Sequence, residues 1–224
     1  MTTTLLNTRF RKSVKPPLRG KLLKPGKNNK KLGGKVAVRA FQGYTIYSLT
    51  LEERASCPKT CDQWTNCYGN NMPFAHRFNH THADFIPLLR ANVEEVMENH
   101  PDGVLLRLHV LGDFYSVSYV QFWHSMLRKH PKLAIFGYTH RPMEGAIGKH
   151  IQDLRADFGA RFAIRWSDPA QAAPFSTFVA PSFDTAEASE NSVVCPEQRG
   201  LTESCSACGL CWSMPEKPVI FVEH

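Results

Sequence analysis

Residues 104–138 read VLLRLHVLGDFYSVSYVQFWHSMLRKHPKLAIFGY. Two nearly continuous apolar runs, 104–111 and 133–138, flank a segment in which Val120, Trp123 and Leu127 recur at i, i+3 and i+7. Short apolar runs bounded by polar turns suit buried strands, and the 3.6-residue period suits a helix over 116–130. Strand, helix and strand in that order form a βαβ unit whose two strands run parallel.

The same alternation extends in both directions. Downstream, Ile147, Ile151, Leu154 and Phe158 mark a helix over 144–158, followed by a strand over 161–166 and shorter strands at 176–180 and 192–194. Upstream, Phe85, Leu89, Val93 and Val96 share one face of a helix over 84–99, with Asp84 as its cap and Pro87 in its first turn. Residues 36–41 and 44–51 read as strands joined by a turn at Gly43. Strands and helices alternating at this spacing define the α/β class, and right-handed crossovers set the strands side by side. Four or five such units fall short of a closed eight-fold barrel of about 250 residues. The expectation is an open, partial parallel β/α barrel over 36–182, a basic N-terminal arm over 1–35 and a Cys-rich C-terminal extension over 183–224.

The chain has 224 residues, 42% of them hydrophobic and 21% charged, enough apolar content for a real core and too little charge for wholesale disorder. No apolar run reaches the length of a membrane span, and no continuous apolar leader opens the chain, so neither membrane insertion nor secretion is expected. The net charge of +7 is unevenly placed. Residues 1–39 hold 12 Lys and Arg with no Asp or Glu, whereas the remainder holds 15 basic residues against 20 acidic ones. Such an arm is either a solvated tail or a contact for the phosphates of a nucleic acid.

Seven cysteines fall in two tight groups, Cys57, Cys61 and Cys67, then Cys195, Cys205, Cys208 and Cys211. An odd count and tight spacing without a secretory leader argue against disulfides and for metal. The first group offers three thiolates with no evident fourth. It either borrows one of His76, His80 and His82, which also suit phosphate contacts, or leaves a coordination position open. The second contains C-x2-C-x2-C, a spacing found in iron–sulfur ligation, and Cys195 completes four thiolates. Four thiolates suit zinc as well as a [4Fe–4S] cluster.

In parallel α/β folds, ligands bind at the carboxyl ends of the strands. That edge would gather the Cys57–Cys67 loop, the 112–115 turn with Gly112 and Asp113, the 138–141 turn with Tyr138 and His140, and Ser167 with Asp168. Asp113 could bind a ligand or cap the helix near Ser116. Tyr138 and His140 could donate hydrogen bonds or protons, or be ordinary turn residues. His109 reads as a packed core histidine, and Arg165 as an ion-pair partner of Asp168.

Taken together, NCY after the first cysteine loop, RLHVLGDFYS, FGYT, RWSD and VCPEQ with SCSACGLCW, over about residues 31–212, resemble the bacteriophage gene product 88 domain family. That family is similar in arrangement to radical S-adenosylmethionine proteins, which place a three-cysteine loop after the first barrel strand and a Gly-rich acidic motif after the second. The resemblance implies that Cys57, Cys61 and Cys67 hold a [4Fe–4S] cluster with one open iron, and that Gly112 and Asp113 lie where such proteins contact the methionyl amine. The loop here is C-x3-C-x5-C, not the usual C-x3-C-x2-C. The reading that follows is an iron–sulfur protein in the cytoplasm of a bacterial host; if it is an enzyme, the open iron anchors S-adenosylmethionine, an electron donor serves it, and the basic arm suits a nucleotide or nucleic acid as substrate. The alternative is a non-enzymatic zinc protein that binds nucleic acid.

Overall fold

In a computed structural model of the chain, Leu106 lies opposite Ile135, and Ile135 opposite Phe162, in three adjacent parallel strands. The structure describes residues 14–15, 21–72, 75–167, 174–187 and 191–223. In chain order its elements are β1 (Val14–Lys15), β2 (Lys24–Pro25), β3 (Thr45–Ser48), α1 (Glu53–Ser56), β4 (Arg77–Phe78), α2 (Phe85–Asn99), β5 (Val104–Leu108), α3 (Val117–Lys129), β6 (Leu133–Thr139), α4 (Ala146–Phe158), β7 (Phe162–Ser167), β8 (Ser176–Ala180), α5 (Phe183–Glu187), β9 (Val193–Val194), α6 (Cys205–Cys208), α7 (Leu210–Ser213) and β10 (Val219–Val222). Among the described residues, eight strands form one open sheet in the order β2-β3-β5-β6-β7-β8-β10-β9. Only the β2–β3 pairing in it is antiparallel.

From β3 to β8 the strands of this sheet follow one another in sequence, so each right-handed crossover steps the same way and puts its helix on the same face. The core bears this out. Leu106, Leu108, Ile135, Phe162 and Ile164 pack with Leu89 and Val93 of α2, Trp123 and Leu127 of α3, and Ile151 and Leu154 of α4. The alternate residues Leu105, Ala134, Phe136 and Ala163 face the other way, where Leu32, Val36 and Trp212 cover them. Ser116 caps α3 by accepting a hydrogen bond from the Tyr119 amide, so that helix does not need Asp113 as its cap. Gly137 permits a close approach within the sheet: a Cβ there would lie 1.3 Å from the Leu108 carbonyl oxygen.

Three segments differ from the sequence expectation. Residues 21–35, expected in the basic arm, are built into the fold: Leu22 and Leu23 enter the main core, Leu32 the second one, and β2 edges the sheet. Apolar side chains outweigh the charge run there; residues 1–13 and 16–20 lie outside the described residues. The strand expected at 36–41 is instead a turn-rich loop closed by the Val36 amide on the Tyr44 carbonyl, with Phe41 and Gly43 both at positive φ. The C-terminal segment is no separate extension: β10 pairs with β8 and β9, and Trp212 packs on Phe136 with ring centroids 4.8 Å apart. No helix among the described residues is long and apolar enough to cross a membrane.

Candidate functional site

The first cysteine group lies in a loop that leaves the carboxyl end of β3. Short turns carry the chain round it: the Cys57 amide bonds to the Glu53 carbonyl at 2.9 Å, that of Cys61 to Pro58 at 3.1 Å, and that of Asn70 to Cys67 at 2.8 Å. Behind the loop sits a buried ion pair. The Arg77 Nε donates to Glu53 Oε2 at 2.8 Å, and its Nη atoms donate to the carbonyls of Gly69, Met72 and Ala75. One guanidinium thus ties the end of the cysteine loop to the helix that opens it.

A second brace comes from the ends of β5 and β6. Buried Asp113 accepts from the Phe114 amide at 2.6 Å, the Thr139 hydroxyl at 2.7 Å and the His140 amide at 2.9 Å. Burial raises its pKa, and these three bonds oppose the rise. Arg141 donates to the carbonyls of Phe114 and Ser56, both at 2.6 Å. His140 Nε2 reaches the Thr60 carbonyl at 3.0 Å. Asp113, Thr139, His140 and Arg141 therefore hold both shoulders of the Cys57–Cys61 turn. Gly112, at φ +91°, lies so close to Leu51 and Ser56 that a Cβ would come within 2.6 Å of each.

The second group is assembled by the N-terminal segment and the sheet. The Cys205 amide bonds to the Lys31 carbonyl at 2.7 Å, and the Cys195 amide to that of Ile220 at 2.8 Å. Buried Arg165 donates to five carbonyls, those of Cys211, Ser176, Lys217, Leu210 and Met214, and so pins α7 and the turn after it to β7. The Cys211 Sγ lies 2.9 Å from the Tyr138 hydroxyl.

One arginine lies beside the second group. Arg107, on β5, sits over the Tyr138 ring at 4.1 Å and is within electrostatic reach of Tyr68, Tyr138, Cys205 and Cys211. Tyr68 follows Cys67 and is 42% exposed, yet desolvation of its hydroxyl dominates and raises its pKa, with Arg107 opposing and Cys67 and Cys57 reinforcing the rise. Tyr138 thus links Arg107 to Cys211 of the second group, and Tyr68 is the residue of the first cysteine loop within electrostatic reach of that arginine.

Burial also pushes up the pKa of the thiols. Cys57 rises most in the first group, through burial and then Asp113, Cys61, Cys67 and Glu53; Cys61 and Cys67 rise mainly through burial. In the second group burial lifts Cys205 to about 12, with Cys211 adding to it, and raises Cys195 and Cys208 as well. Thiols so placed are neutral unless a cation draws off their protons, which is what metal ligation does. Among the described residues, no three His, Cys, Asp or Glu side chains converge tightly enough to enclose a single metal ion. A tetrahedral ion would need its sulfurs about 3.8 Å apart, from zinc–sulfur bonds of about 2.3 Å.

Other candidates fall as follows. His80 stacks on Tyr115 at 4.2 Å, and His82 pairs with Asp84 at 3.8 Å. His109 is a core histidine, its Nε2 2.9 Å from the Tyr119 hydroxyl. Ser167 closes β7 opposite Thr177; Asp168 lies outside the described residues. Sequence reading missed the roles of Arg107, Tyr68, Arg165 and the Glu53–Arg77 pair. Arg107 had left a trace, as the charge that interrupts an apolar strand.

The fold is an open, mostly parallel α/β sheet, with one thiol group in the loop after β3 and Cys205 and Cys211 of the other packed against the second core. The sequence model described as gene product 88 matches residues 21–148, more than half of the chain, and the chain belongs to that phage family. The match takes in Cys57, Cys61, Cys67, Arg107, Asp113, Tyr138 and His140 and ends before Cys195. No curated protein and no solved structure matches the chain.

Proposed function

We propose that the protein is an iron–sulfur protein with two centres, one on Cys57, Cys61 and Cys67 and the other on Cys195, Cys205, Cys208 and Cys211. The observation that carries this reading is geometric: the Cys57–Cys61 turn is held by His140 and Arg141 from the end of β6, where Tyr138 also meets Cys211, at the carboxyl end at which parallel α/β folds bind ligands. Three thiolates on the first centre leave a coordination position for a cofactor such as S-adenosylmethionine, and we extend the open sheet to a partial barrel surrounding it. When bound, such centres supply one-electron transfer from an external electron donor.

The chain's own residues supply placement. Asp113 receives three protein donors and acts as a positioning residue for the Cys57–Cys61 turn. His140, bonded to the Thr60 carbonyl, fixes the same turn. Tyr138 presents its hydroxyl to Cys211 and donates to that sulfur once it is a thiolate. The substrate of such an enzyme would be a nucleotide or nucleic acid, a choice supported by the basic residues of the N-terminal segment.

Replacing Cys57, Cys61 and Cys67 by Ser in one variant, and the other four cysteines in a second, tests the assignment. Each variant is expected to lose the iron and sulfide of its own centre and keep the rest. Zinc in place of iron in the unmodified protein, without sulfide, would favour a zinc protein that binds nucleic acid.

A further inference from the structure

We propose that Arg107 anchors a binding site for an oxyanion, a carboxylate or phosphate carried by a small-molecule ligand, beside the second thiol group. The other well-packed arginines spend their guanidinium groups on the protein itself: Arg77 on Glu53 and three carbonyls, Arg141 on two carbonyls, Arg161 on four and Arg165 on five. Arg107 does not. Its Nε donates to the His109 carbonyl at 3.2 Å, while neither Nη has an acceptor among the described residues. No carboxylate among them pairs with it. Its side chain is half-buried, and its Nη atoms are not among the enclosed polar atoms that lack a partner.

The group is also held still. The bond from Nε fixes one edge of the guanidinium, and the rings of Tyr138 at 4.1 Å and Phe136 at 5.5 Å support its face. The free edge then presents two donors in the planar fork that matches two oxygens of a carboxylate or phosphate. A cation this far into a protein loses hydration that an oxyanion partner restores. Tyr68 lies within electrostatic reach of Arg107. The site goes beyond the metal reading and does not require it. The rival partner for this charge is the pair of thiolates at Cys205 and Cys211.

Calorimetric titration of the full chain with inorganic phosphate and with malonate, at constant ionic strength set by chloride, separates the two. The titration is run on protein as purified and on protein stripped of metal. Saturable binding of one equivalent is expected in both, with preference for phosphate or malonate identifying the phosphoryl or the carboxylate source. R107Q is expected to weaken it about tenfold to a hundredfold, the loss of charge-assisted hydrogen bonds. R107K, which keeps the charge without the fork, should fall between, and Y68F should lose less. Circular dichroism checks folding, and R107K carries the test if R107Q does not fold. Absence of saturable binding of either anion overturns the proposal, as does wild-type affinity in the Arg107 variants. Loss of metal from R107Q with no anion binding by the unmodified chain assigns the charge to the thiolates and overturns it equally.

Discussion

The hydroxyl of Tyr138 lies 2.9 Å from the sulfur of Cys211, and this contact joins the central strand β6 to a cysteine 73 positions further along the chain. Hydrogen bonds to ligating sulfurs are among the factors that set the potential of an iron–sulfur centre. Y138F removes the donor while keeping the ring on which Arg107 stacks. Potentiometric titration should find the second centre harder to reduce in Y138F, because negative charge on its sulfur has lost a donor, and the first centre unchanged.

Asp113 is a brace whose failure should be local. In D113N the amide nitrogen takes the place either of Oδ1, where it confronts the Thr139 hydroxyl and the Phe114 amide, or of Oδ2, where it confronts the His140 amide. A loss of about 2–4 kcal/mol is expected in urea unfolding, since buried donors lose a charged acceptor. Metal analysis of the folded variant should show depletion at the first centre with the second retained.

The Glu53–Arg77 pair is almost wholly enclosed, at 1% and 2% side-chain exposure. Removing one member of such a pair costs about 3–5 kcal/mol. E53Q and R77M should both be destabilised on that scale in denaturant unfolding. R77M should be the worse of the two, because it also strips donors from the carbonyls of Gly69, Met72 and Ala75.

His109 gives the fold a pH dependence. Burial, with Arg107 and His80 adding to it, lowers its pKa to about 3. The unfolded chain, with an ordinary value of about 6.5, therefore binds more protons than the folded one between those limits. Stability is complete above about pH 6.5 and falls as pH drops toward 3, by up to about 1.4 kcal/mol per unit from this residue. Urea unfolding at pH 7, 6 and 5 should show that slope, and H109Q should flatten it.

Much of this architecture is legible from local pattern. The helices α2, α3 and α4 and the strands β5 to β8 each carry their own period of apolar residues, and parallel topology then sends Gly112, Asp113, Tyr138 and His140 to one edge. What escapes local reading depends on distant partners. Strand β10 is four residues whose pairing with β8 and β9 is set by the fold as a whole. Val36 and Val38 alternate like a strand, but they pack with the second core, beneath Trp212, from a loop. Arg165 looks like an ion-pair residue and instead gathers carbonyls from a segment some 50 residues away. The two cysteine groups were visible from spacing; the contact of Cys211 with Tyr138, beside Arg107, required the C-terminal segment to return across the sheet.

The central claim is that the seven thiols hold iron–sulfur centres, and the direct measurement is iron, acid-labile sulfide and zinc per chain on protein purified without oxygen, with a visible spectrum of the same sample. Iron and sulfide in equal amounts, near eight each for two [4Fe–4S] clusters, with broad absorbance around 400 nm, is the result the account predicts. One or two zinc ions, no sulfide and a colourless sample would contradict it.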